Sequence, residues 1–176
     1  QGKARMITDL AGLDRQFAAW QTGGADEPLG FILSMEGADP IAWPEQVESW
    51  WEDGLRVVSL SHYGISAYAH GTGTEGGLTE LGVPLLRGMD SVGMILDLTH
   101  LADQAFWEAL ENFSGPVLAS HNNCRALVPG GRQYSDEQIR ALVERNGVIG
   151  VALDAWMLYP GWIKGETSPS VISLEV

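Results

Sequence analysis

Residues 93–121 read GMILDLTHLADQAFWEALENFSGPVLASH, and the fold follows from how this stretch is parsed. It opens on one apolar run, 94–100, and closes on another, 116–121. Between them Phe106, Ala109, Leu110 and Phe113 recur at the spacing of one helical face. Strand, amphipathic helix, strand is a βαβ unit. Strands that are apolar on both faces belong in a parallel sheet covered by helices. Both runs end on a histidine, His100 and His121.

The same rhythm continues on either side. GFILSMEG (30–37) predicts a short buried strand. PEQVESWWEDG (44–54) predicts a helix with Pro44 in its first turn, Val47, Trp50 and Trp51 on one face, and Gly54 as its stop. LRVVSLSH (55–62) is the next strand, and GLTELGVPLLRGMDSVG (77–93) is helix-like despite Pro84 and internal glycines. SDEQIRALVERNG (135–147) starts with a capping box, Ser135 with Gln138, and ends at Gly147. VIGVALD (148–154) reads as a fifth strand, and a helix around Ile7–Trp20 precedes them all. Two architectures fit this order: an open doubly wound sheet or a (β/α)8 TIM barrel. No dinucleotide-type glycine fingerprint follows the first strand. GTGTEGG (71–77) sits in a long loop, where a flexible segment is expected, and this weighs against the open sheet.

Length and composition set limits. With 176 residues, 45% of them hydrophobic, the chain suffices for a single domain, 1–176, with a sizeable core. A formal charge of −13 argues against nucleic acid and against an anionic membrane surface, whereas a multivalent cation suits so many carboxylates. The lone Cys124 rules out an intrachain disulfide. No run approaches the roughly 20 apolar residues of a membrane span, and no signal core is visible, so a cytoplasmic location is expected. The opening QGKARMITDL and the closing SPSVISLEV suggest a segment of something longer.

The residues that end the five strands are Glu36, His62, His100, His121 and Asp154. In a parallel α/β fold they share the C-terminal edge, where active sites are built. Three of the four histidines occupy such positions. A lone histidine there is more often a hydrogen-bonded cap, but His100 and His121 on neighbouring strands would present both rings to one point. Imidazoles with a nearby carboxylate suit zinc or a similar borderline metal. Glu36 also reads as a turn carboxylate, Asp154 equally as the N-cap of a following helix, and Asp97 either as an interior-facing group behind the ligands or, preferably, as a core polar residue. His70 is expected in solvent and Cys124 in packing. Trp50, Trp51 and Trp107 are expected in the core, with Trp156 and Trp162 at a pocket mouth or packed on a loop. Arg132 is either a solvated loop arginine or a fork for a carboxylate.

MEG, GLTELGVPLLRGMDSVGMILDLTHLAD, PVLASHNNCRAL and the pattern R-x-x-S-D-E-Q-I-R-A-L-V together resemble the membrane (renal-type) dipeptidase family, peptidase family M19 of the amidohydrolase superfamily. The resemblance spans about residues 30 to 155. It implies a TIM barrel of the metal-dependent hydrolase type, with about five of the eight βα units in this chain and the flanking parts elsewhere. It implies hydrolysis of dipeptides with a free C-terminal carboxylate by metal-activated hydroxide, using a two-zinc site. Glu36 matches the carboxylate that bridges the metals, and His100 and His121 match the histidines of the second metal. His62 matches the histidine that binds the scissile carbonyl and steadies the oxyanion, and Arg132 the arginine that grips the substrate carboxylate. A homodimer stays open.

Departures from the family accompany these matches. After His62 the family often has NCNTPWAD, where this chain has YGISAYAHGTG, so an altered substrate pocket is expected. The N-terminal His-x-Asp motif of the first metal and the late aspartate near G-x-D-x-D-G are absent, and Asp154 does not take the latter's place. A 1–176 polypeptide on its own is therefore expected to be inactive and poorly folded. Two alternatives remain: another amidohydrolase-type reaction on a different amide, or a metal-binding homologue without catalysis.

Overall fold

The structure, a computed structural model, describes residues 2–23 and 27–172. In chain order the elements are β1 (Ala4–Met6), α1 (Leu10–Thr22), β2 (Leu29–Phe31), β3 (Leu33–Glu36), α2 (Val47–Glu52), β4 (Leu55–Ser59), α3 (Gly82–Val92), β5 (Ile95–Asp97), α4 (Asp103–Asn112), β6 (Val117–Ala119), α5 (Asp136–Glu144), β7 (Val148–Ile149) and α6 (Ala155–Leu158). A 3-10 turn, Pro44–Gln46, leads into α2.

The main sheet has the order β3-β4-β5-β6-β7, and every pair is parallel. Each new strand is added on the same side as the last, with no reversal. That is the winding of a barrel, not of a doubly wound sheet. β1 pairs in parallel with β2, and only Ile32 separates β2 from β3, so one extended segment serves both partners. The arc therefore has one more strand position than the sequence predicts. β1 escapes detection because Ala-Arg-Met is three residues long and exposed throughout, with no apolar run to mark it.

Side-chain alternation sorts the strands into two faces. Met35, Val58, Leu60, Leu96, Leu98 and Val117 pack into the core cluster against Leu85, Leu86 and Met89 of α3 and Phe106 and Ala109 of α4. The alternate positions carry Glu36, Ser59 and Asp97, in register across β3, β4 and β5. Hydrophobic burial thus sits between sheet and helices, and polar chemistry collects on the inner face and at the C-terminal edge.

Helix ends follow the local sequence. Asp9 caps α1 by accepting from Gly12 N–H at 2.6 Å. Ser135 and Gln138 form both halves of the capping box on α5. Gly93 ends α3 at φ 79, a left-handed conformation that glycine adopts without a Cβ penalty. Trp50 and Trp51 pack on the core, with the Arg56 guanidinium 3.7 Å above the Trp51 ring. Trp107 departs from expectation: it is 43% exposed, since its neighbour Phe106 is the one turned inward.

β7 is also shorter than the predicted 148–154. Its ladder stops at Ile149, and the Asn123 side chain takes over by accepting from Ala152 N–H and donating to Ala152 C=O. Asp154 consequently lies five residues beyond the strand, exposed, at the N-cap of α6 without a side-chain capping bond.

Candidate metal centre

Glu36 is the last residue of β3, His62 and His100 each lie three residues beyond β4 and β5, and His121 lies two beyond β6. Parallel strands in consecutive order bring all four to one edge. Glu36 Oε1 lies 3.0 Å from His100 Nε2, 3.1 Å from His121 Nε2 and 3.6 Å from His62 Nε2. The two nitrogens Nε2 of His100 and His121 are 3.3 Å apart. Ligand atoms about 2.0–2.1 Å from a tetrahedral cation are separated by roughly 3.3–3.4 Å. Glu36 Oε1, His100 Nε2 and His121 Nε2 thus have the spacing of three ligands around one small ion, and they could hold it. Among the described residues no second cluster of three such side chains occurs.

Both histidines are engaged from behind. His121 Nδ1 is 2.8 Å from Ser120 Oγ, and His100 Nδ1 is 2.9 Å from Thr72 Oγ1. Such outer contacts turn Nε2 toward a cation and are common around metal-ligating imidazoles. Neither hydroxyl is apparent from the sequence as a site residue, although Ser120 directly precedes His121. His100 is buried, and its pKa is lowered to about 3 by burial first and then by Arg132, His62 and His121. It is a neutral imidazole at ordinary pH, the form a metal requires. His62 stands at the open side of the cluster with half of its side chain exposed and its ring 4.3 Å from that of His100.

Below the centre Asp97 accepts from Thr99 N–H and Ser120 N–H, each at 3.0 Å, and so braces the turns that carry His100 and His121. It is buried, but on the inner face behind the ligands, the position the sequence reading ranks below a core polar residue. Arg132 is 6% exposed and is not a solvated loop arginine. Its Nη2 donates to the His121 carbonyl at 2.8 Å, while Nη1 has no partner among the described residues. The loop that delivers it is pinned by Arg125, which donates to both carboxylate oxygens of Asp103 and to the Gln133 carbonyl.

Other candidates fall outside the centre. Cys124 is half-buried and lines an apolar cavity with Leu127, Val128 and Tyr134, a packing role. His70, expected in solvent, is instead half-buried, with its ring against Gly76, its N–H on Gly77 C=O and its carbonyl accepting from Ala102 N–H. The glycine-rich loop expected to be flexible is therefore a packed one.

A singly wound parallel α/β arc with imidazoles and a carboxylate at its C-terminal edge defines the class: part of a TIM barrel built around a metal. Residues 9–172 match the family described as membrane dipeptidase, peptidase family M19, and the chain belongs to that family. The uncharacterized protein of the PQQ-III 3′ region of Acinetobacter calcoaceticus is 31% identical over 158 residues, covering 84% of this chain and 50% of that protein. Dipeptidase tcpJ of Claviceps purpurea is 32% identical over 108 residues, 59% of this chain and 25% of its own length. A Rhodobacter sphaeroides metallo peptidase, solved with a phosphinate mimic of the dipeptide L-Ala-D-Ala, superposes with a TM-score of 0.79 at 25% identity, covering 90% of this chain and 46% of that one. The family M19 dipeptidase AC superposes with a TM-score of 0.80 at 24% identity, over 90% of this chain and 48% of its own. The chain thus spans about half the length, or less, of the relatives it matches.

Proposed function

We propose that this chain forms the metal-holding arc of a zinc-dependent dipeptidase that cleaves dipeptides carrying a free C-terminal carboxylate. The observation that carries this reading is the convergence of Glu36 Oε1, His100 Nε2 and His121 Nε2 within 3.0–3.3 Å of one another. Zinc held by these three side chains would supply Lewis acidity, lowering the pKa of a bound water and polarising the scissile carbonyl. Glu36 contributes the negative charge of the centre, and its exposed carboxylate leaves room for the bridging role its family position implies. Two imidazoles and one carboxylate suit one zinc ion, so the partners of a second ion belong to other segments of the protein.

In this reading His62 acts on the substrate. Its exposed ring lies beside the donor cluster, and a hydrogen bond from it to the developing oxyanion is worth about 3 kcal/mol in systems of this kind. Arg132 would grip the substrate carboxylate. A buried guanidinium with one nitrogen unpartnered is costly unless an anion completes it, which supports that assignment. The mimic of L-Ala-D-Ala bound by the Rhodobacter sphaeroides relative supports a dipeptide as the substrate class.

The test is turnover of a dipeptide panel by the intact protein, with zinc counted per chain and each dipeptide paired with its C-terminal amide. Zinc near two per chain, hydrolysis of the free acids and weak hydrolysis of the amides are expected. The Arg132→Met variant should lose roughly 10- to 100-fold in kcat/KM on the free acids, the scale of one lost charge-assisted bond. Metal without turnover would favour a different amide substrate or a non-catalytic role. Equal turnover of acids and amides would remove Arg132 from carboxylate recognition.

A further inference from the structure

The segment between His62 and α3 folds back onto the metal centre. At its centre the main chain docks on His62: Thr72 N–H donates to the His62 carbonyl at 3.0 Å, and Thr72 C=O accepts from Gly64 N–H at 3.0 Å. Gly71 allows this approach, because a Cβ there would stand 2.2 Å from the His62 carbonyl oxygen. The Thr72 side chain then reaches across to the next strand end. Its Oγ1 lies 2.9 Å from His100 Nδ1 and 3.2 Å from the His100 carbonyl oxygen. His100 itself has φ 73, a left-handed conformation that non-glycine residues adopt only when their surroundings hold them there.

That hydroxyl can donate to Nδ1, with Nε2–H then donating to Glu36 Oε1, or it can donate to the His100 carbonyl; only the second arrangement frees Nε2 for a metal. A carbonyl oxygen can only accept, and a threonine hydroxyl has a single proton to give. With that proton on the His100 carbonyl, Oγ1 is left as an acceptor, and Nδ1 must be the nitrogen carrying hydrogen. The bare lone pair is then on Nε2, which faces Glu36 Oε1 and His121 Nε2. Ser120 touches His121 Nδ1 from the adjacent position in the chain, with no comparable hold on the backbone.

We infer that Thr72 is a positioning residue of the metal centre: its hydroxyl selects the Nδ1–H tautomer of His100 and holds that residue in its left-handed conformation, while its main chain ties the same loop to His62. The inference rests on the reading of Glu36, His100 and His121 as metal ligands. It assigns a structural duty to the loop that departs most from the family pattern.

The test uses the intact protein, with zinc affinity measured by competition against a chromophoric chelator. Thr72→Val, which keeps the shape and removes the hydroxyl, should weaken zinc binding by roughly 10- to 100-fold, the range for contacts behind a ligand. Thr72→Ser should restore wild-type affinity. In metal-free wild-type protein labelled with 15N-histidine, long-range 1H–15N spectra should show His100 protonated at Nδ1 and bare at Nε2. Unchanged affinity in Thr72→Val, or an Nε2–H tautomer, overturns the inference; the spectrum decides the matter even where the valine variant does not fold. His100→Ala separates this from the reading beneath it. If that variant binds zinc as tightly as wild type, the ligand assignment itself fails.

Discussion

His100 concentrates the physical chemistry of the centre in one side chain. Its ring is almost fully buried, flanked by His62, His121 and Arg132, and burial with those neighbours holds its pKa down from 6.5 to about 3. Between those two values the unfolded chain binds a proton at this position and the folded one does not. The stability of metal-free protein therefore falls as pH drops from about 6.5 toward 3. The melting temperature of the chelator-treated intact protein should decline across that window, and His100→Gln, which cannot titrate, should flatten the decline. An equal slope in wild type and variant would contradict it. Glu36, His62, His100 and His121 were legible as candidates because each ends an apolar run, and a parallel sheet collects such ends at one edge. Asp154, read equally as a strand end or as the N-cap of a following helix, takes the N-cap position, since its apparent strand stops at Ile149. Thr72 gave no signal, because a hydroxyl in a glycine-rich loop has no periodicity to betray which imidazole it faces.

At the scale of elements, helices were easier to read than strands. The capping box on α5 and the left-handed Gly93 that ends α3 are local devices, written in adjacent residues. Strands of two to four residues are specified by their neighbours, so the three-residue β1 was invisible and β7 was overdrawn. The loop from Tyr63 to Gly77 shows how tertiary context overrides composition. Its glycines suggest flexibility, yet Gly71 is required by a close backbone approach. Gly71→Ala would press a Cβ onto the His62 carbonyl, a backbone atom that no rotamer change can move aside. A loss of about 1–3 kcal/mol is expected, the usual cost of overpacking, together with weaker zinc binding. Chemical denaturation and the chelator competition check both; an alanine variant with wild-type stability would show that the loop is less tightly docked than its distances indicate.

The molecule as a whole is an arc of a barrel. Strand order without reversal selects the barrel over the doubly wound sheet, a choice the sequence left open until a glycine fingerprint failed to appear. Among the described residues both ends of the arc present apolar side chains to solvent. Val148, Val151 and Leu153 stand 68–76% exposed on the β7 side, beside an apolar cavity of about 360 Å³, and Leu10, Phe17 and Trp20 stand 60–71% exposed at the other end. Unpaired edges and apolar faces of this kind invite association. An isolated 1–176 polypeptide should therefore aggregate or bind a hydrophobic dye, and should not turn over dipeptides; a monodisperse, active polypeptide would contradict this. The central claim, that Glu36, His100 and His121 share one cation, has a more direct test. A zinc-edge anomalous map from crystals of the intact protein should place a peak about 2.0–2.2 Å from Glu36 Oε1, His100 Nε2 and His121 Nε2. A fully occupied zinc elsewhere, with these three side chains unligated, would contradict it.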